Sequence, residues 1–121
     1  MKIKVSVGGG LAIGDVVQWD SGSNAWVSLT DSTSSHWGVI CSEPVADLTE
    51  GSSKLLALVA FSGNCMAKAS RDIPVEGGLL AIEADGVYVD NASSHACGLV
   101  SPSNYQGVAR PANTLVSVWI R

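Results

Sequence analysis

Charge is scarce in this chain of 121 residues: charged side chains make up 15% of it, well under the roughly 25% of an ordinary domain. Cations are scarcer still, seven Lys+Arg against eleven Asp+Glu, for a net charge of −4. So few basic groups cannot form a stripe along a phosphate backbone, and nucleic acid is not expected as a partner. Long apolar runs are also missing. The longest spans residues 55–61, against the ~20 residues a bilayer requires, so no membrane partner is expected. The opening segment has the basic flank of a secretory leader but not its apolar stretch, because Ser6 and Gly8, Gly9 and Gly10 interrupt it. Cysteine is limited to Cys41, Cys65 and Cys97. An odd number with no C-x-x-C spacing supports no disulfide framework, and reduced thiols in a cytoplasmically made protein are expected.

What is present points to a folded β domain. Hydrophobic residues make up 46% of the chain, which excludes an intrinsically disordered composition. At 12.4 kDa one domain is expected, burying about two-thirds of its unfolded surface. A domain this poor in charge is expected to give part of its exterior to other chains. No window repeats apolar positions at helical spacing, and 13 glycines interrupt the chain at short intervals. Short apolar or alternating runs between Gly, Asn, Asp and Ser turns predict strands at 2–7, 15–19, 25–29, 37–41, 55–61, 65–69, 79–83, 87–89, 99–100 and 115–120. Asp85-Gly86 predicts a hairpin between 79–83 and 87–89, and Ser62-Gly63-Asn64 another between 55–61 and 65–69. A single helical turn is expected near residues 46–49.

The chain also repeats itself at a period of roughly 60 residues. Gly14-Asp15-Val16-Val17-Gln18-Trp19, a Gly-containing turn, Ala25-Trp26-Val27 and Ser34-Ser35-His36-Trp37-Gly38-Val39-Ile40 make the first copy. Gly78-Leu79-Leu80-Ala81-Ile82, Asp85-Gly86, Val87-Tyr88-Val89 and Ser93-Ser94-His95-Ala96-Cys97-Gly98-Leu99-Val100 make the second. Each is a hairpin plus a third strand, followed by a longer apolar strand. Such a unit cannot bury both faces alone, so the copies should pack around shared core. The expectation is an all-β fold, a small barrel or sandwich built from two related β-units at about 13–61 and 76–120, with little or no helix. Residues 1–10 are expected to form an N-terminal strand or arm on a glycine hinge, and 11–121 a single β domain.

Catalytic and metal chemistry find little support. His36 and His95 with Cys41 and Cys97 do not stand at zinc-ligand spacings. The serines run beside Thr and Asn in loop composition, with no G-x-S-x-G elbow. Asp20, Asp31, Asp85 and Asp90 occupy turn contexts, where Asp bonds its own backbone, which leaves no evident carboxylate pair for glycoside hydrolysis. Gly8-Gly9-Gly10 lacks the Lys and Ser/Thr of a phosphate loop. Asn91-Ala92-Ser93 matches a glycosylation sequon, which carries no weight without a secretory leader. No catalytic residue, metal site or cofactor is expected.

Tryptophan is the exception to the aromatic poverty: four of them beside two Tyr and one Phe. Trp19 and Trp26 flank a predicted turn and should pair across it. Trp19, Trp26, Trp37 and Trp119 are expected in the core or at a protein interface, the other reading being a platform for sugar rings. The candidate interface residues are Lys2, Ile3, Lys4, Val5 and Val7, as a strand for edge addition, with Trp19, Trp26 and Trp37.

The order of Gly14-Asp15-Val16-Val17, a turn, an aromatic strand, Gly38-Val39-Ile40 and a long apolar strand resembles the small β-rich capsid decoration (cement) proteins of tailed bacteriophages. It also resembles related head-fibre and tail-fibre base modules. The second copy departs from the pattern: Gly78-Leu79-Leu80 lacks the Asp, and Gly98-Leu99-Val100 is only similar. The resemblance implies a non-enzymatic virion structural protein, a homotrimer on the capsid surface, with the major capsid protein as partner and the N-terminal segment contacting the shell. The alternatives are a fibre or tail attachment module, a carbohydrate-binding β module that takes glycans, and, last, a small trimeric β enzyme. For the enzyme no matching series of Asp and Gly phosphate-binding motifs is found.

Overall fold

A computed structural model describes residues 1–33, 36–93, 96–103 and 108–121. Within them the chain forms eleven strands and no helix: β1 (Lys2–Val7), β2 (Val16–Asp20), β3 (Ala25–Ser28), β4 (Trp37–Ile40), β5 (Val45–Ala46), β6 (Leu55–Ala60), β7 (Gly63–Lys68), β8 (Gly78–Glu83), β9 (Gly86–Val89), β10 (Gly98–Val100) and β11 (Leu115–Ile120). The all-β expectation holds. The short apolar runs form strands because every second side chain finds a core, and the glycine turns supply the positive φ that ends them, as at Gly14 (φ 95°) and Gly77 (φ 67°).

The strands make two barrels in tandem. The first sheet runs β1-β3-β2-β4-β6, and β6 returns to β1, with β5 added beside β6. The β1–β6 ladder is antiparallel over six pairs, from Lys2↔Ala60 to Val7↔Leu55. The seam between β1 and β3 is held by one parallel pair, Val7↔Trp26, with Gly8 N–H donating to the Trp26 carbonyl at 2.8 Å. The second sheet runs β7-β11-β10-β8-β9. It closes the same way: an isolated parallel bridge joins Ala69, just past β7, to Val87 on β9, and Ser70 N–H donates to the Val87 carbonyl at 2.8 Å.

The two barrels share one pairing scheme. Ile3↔Val59 in the first corresponds to Cys65↔Val118 in the second. Trp19↔Trp26 corresponds to Ile82↔Val87, and Ile40↔Val59 to Val100↔Val118. The repeat is therefore a five-stranded barrel, larger than the three-strand unit visible in sequence. Its first strand, β1 or β7, lies before the segments that look alike.

Several expectations are corrected. β1 is not an arm on a hinge: its six-pair ladder makes it a wall of the first barrel, and its inward residues Val5 and Val7 pack into that barrel's core. The repeat units begin at β1 and β7 rather than near residues 13 and 76. The hairpin expected around Gly63 does not form. β6 pairs with β1, β4 and β5, while β7 pairs with β11, so this turn is the crossing from one barrel to the next. The helical turn expected at 46–49 is instead the end of β5, where Val45 and Ala46 add to Leu56 and Leu55.

Two apolar cores result. The smaller fills the first barrel with Val7, Leu11, Val17, Ile40, Ala57 and Val59. The larger joins the second barrel's interior, including Leu80, Val100, Val116 and Val118, to residues on the outside of the first: Val16, Leu29, Val39 and Ala60. The outer wall of the first barrel thus lies on the second. Lys68 N–H donates to the Gly14 carbonyl at 2.8 Å across this junction. The Lys68 ammonium also stands 3.8 Å from Asp15.

Candidate functional site

Because the barrels share one scheme, positions on the five shared strands of one have counterparts in the other, and the differences locate the site. At one end of the first barrel stand Ile3, Trp19, Trp26 and Phe61. Their counterparts are Cys65, Ile82, Val87 and Ile120, which are 7%, 5%, 0% and 3% exposed. Ile3 and Trp19 are 42% and 41% exposed. The second barrel's mouth is sealed by small aliphatic side chains under the first barrel. The first barrel's mouth is aromatic and open.

The mouth is built by strand alternation. Trp19 lies two residues beyond buried Val17 and so shares its inward face. Trp26 stands opposite it on β3, and the rings meet edge-on, with centroids 5.6 Å apart at 61°. Trp26 in turn contacts Phe61 at 4.8 Å and 57°. Such tilted contacts are the favourable arrangement for aromatic quadrupoles. Beside them lies a hollow of about 370 Å³ lined by Met1, Ile3, Trp26, His36, Trp37 and Phe61. The edge of β1 borders the mouth, since β3 engages β1 only at Val7.

A second apolar surface lies on the outside of the second barrel. Leu79, Leu99 and Trp119 stand in register across β8, β10 and β11. Leu99 is 50% exposed and Trp119 46%. With Gly98 and Arg121 they line a hollow of about 230 Å³. The counterpart row on the first barrel is Val16↔Val39↔Ala60, 4%, 0% and 0% exposed, because that row rests on the second barrel.

Of the interface residues named from sequence, Ile3, Trp19 and Trp26 come together at the mouth. Trp37 lines the hollow but also packs against the core between the barrels. Lys2 and Lys4 are exposed on β1 and point away from that barrel's interior. Val5 and Val7 are withdrawn from the candidate surface, since they face the barrel core. Phe61 and Met1 at the mouth, and Leu79 and Leu99 on the outer row, were not picked out. Aligning the whole barrel rather than the look-alike segments would have paired Phe61 with Ile120 and exposed the contrast.

Several titratable groups are committed to local structure. Asp20 accepts from Gly22 N–H at 3.2 Å and Ser23 Oγ at 2.6 Å, and these bonds, that from Ser23 Oγ foremost, hold its carboxyl below the usual range. Asp31 is lowered in the same way by Thr33, and Asp90 accepts from Ala92 N–H at 3.1 Å. Glu83 takes a bidentate bond from Arg71 at 2.9 and 2.8 Å, which lowers it. Burial, and secondarily neighbouring Cys41, pushes the Cys65 thiol up to about 12. Burial also raises Cys97. Among the described residues no group of three or more His, Cys, Asp or Glu could hold a metal ion. Ser34, Ser35, Ser94 and His95 of the repeated Ser-Ser-His motif lie outside the described residues. The arrangement offers apolar and aromatic contact to a partner. No protein-family model, no curated protein and no solved structure matches the chain.

Proposed function

We propose that this chain is a non-enzymatic structural protein of a virus particle, a decoration protein that binds the outside of a phage capsid as a homotrimer. The observation that supports it best is the pair of apolar surfaces, the aromatic mouth and the outer Leu79–Leu99–Trp119 row, on a chain with 15% charge. Exposed apolar patches of this kind mark protein–protein contact. In this reading Lys2 and Lys4, on the exposed face of β1, meet the major capsid protein, while apolar surfaces hold sister copies together. Symmetric repetition of modest contacts then gives tight attachment.

The test is co-sedimentation of the purified chain with heads assembled from the major capsid protein of the phage that encodes it. Saturable binding that drops at least tenfold for Lys2→Glu/Lys4→Glu is the expected result. Absence of binding to intact heads overturns the reading. The aromatic mouth favours one second reading, a glycan-binding β module. There, quenching of Trp emission by an oligosaccharide on a glycan panel is the sign. The tilts of 61° and 57° between neighbouring rings present edges rather than one flat stacking face, which favours a protein partner.

A further inference from the structure

The two unpartnered surfaces are the unused halves of a contact the chain already makes once. Within the chain, the outer row of the first barrel, Val16, Val39 and Ala60, joins the core that contains the second barrel's mouth residues Cys65, Ile82, Val87 and Ile120. Cys41, just past β4, packs against that same core. Ser32 borders a hollow with Ile82 and Cys97. What remains free is the same row on the second barrel and the same mouth on the first.

We infer that a second copy of this chain occupies the mouth, by seating its Leu79–Leu99–Trp119 row over Ile3, Trp19, Trp26 and Phe61. The contact repeats between chains, head to tail, the packing that joins the two barrels within each chain. Three features assign this occupant. Both surfaces are apolar and both are exposed. Each is the counterpart of a surface that is buried by the other kind. And the side chains are larger on both sides than in the internal contact, with Trp119 in place of Ala60 and a hollow of about 370 Å³ beside the mouth to receive them. A head-to-tail contact uses two different patches, so it closes into a ring or runs on as a filament. Closure at three copies, the number proposed above, makes a ring of barrels joined alternately within and between chains. The contact itself does not rest on the capsid reading.

Complementation between two variants tests it. Leu99→Asp/Trp119→Ser removes the row and leaves the mouth. Ile3→Asp/Trp19→Ser removes the mouth and leaves the row. All four positions are exposed, and a thermal melt verifies that each variant folds. Sedimentation velocity should give an oligomer for the native chain, a monomer of 12.4 kDa for each variant alone, and a heterodimer for the equimolar mixture. A monomeric native chain, assembly retained by either variant, or a mixture that stays monomeric would each overturn the contact. Should a variant not fold, dilution of the native chain decides. Emission from Trp19 and Trp119 should shift to the red as the contact opens, and an unchanged spectrum counts against it. Monomers that still saturate capsids would sink this contact, and the trimer with it, and leave capsid attachment standing.

Discussion

Trp19 and Ile82 hold the same place in the two barrels, and their fates differ because one barrel covers the other. Ile82 is sealed at 5% exposure while Trp19 stands at 41%. The cross-strand pairing of Trp19 with Trp26 was legible in sequence, since both flank a short turn. Its openness was not, because it depends on which barrel lies above which. The cysteines show the same limit: their reduced state was an expectation from spacing, but the burial of Cys65 is set by the junction. With its thiol at about 12, Cys65 carries almost no thiolate at neutral pH. It should resist iodoacetamide in the folded protein and react on unfolding, as read by mass spectrometry; rapid native labelling would contradict the packing. Acid should act through Asp20, Asp31, Asp47 and Glu83, all held below their usual values. For Asp20 and Asp31 the largest cause is a side-chain hydrogen bond within the loop, for Asp47 the Thr49 N–H, and for Glu83 Arg71. Each binds its proton less readily folded than unfolded, so its contribution is complete above about pH 5, clear of the unfolded carboxyl range, and fades as pH falls through and below that range. The thermal midpoint should drop from about pH 5 downward; a midpoint that rises on acidification would contradict these bonds.

Among the elements, the strands were read with small boundary errors because period-two patterning and glycine turns are local signals. Pairing was harder. The Ser62-Gly63-Asn64 turn looks like a hairpin, yet β6 finds β1 and β4 while β7 finds β11. Those partners lie far along the chain, and no local pattern encodes them. β5 was missed because two residues carry no periodicity. Glycine at the start of β4 and β10 was visible as part of the repeat, and its reason is close approach. A Cβ on Gly38 would stand 2.6 Å from Val59 Cγ1 and 2.9 Å from the Ala60 carbonyl. On Gly98 it would overlap the Trp119 carbonyl, at a φ of +154°. Gly98→Ala should therefore cost about 1–3 kcal/mol, seen as a lower denaturant midpoint with an unchanged slope. A midpoint equal to that of the native chain would show that β10 and β11 do not approach as described.

At the scale of the molecule, two-fold internal repetition was legible but its unit was not, since β1 and β7 share little sequence. Repetition of one barrel, with one copy stacked on the other, explains the surface. One row and one mouth are buried inside the chain, and one of each is left over. The most direct measurement is the mass of the native chain by light scattering across micromolar concentrations. A species near three times 12.4 kDa is expected; a monodisperse particle of 12.4 kDa at every concentration would overturn the head-to-tail contact.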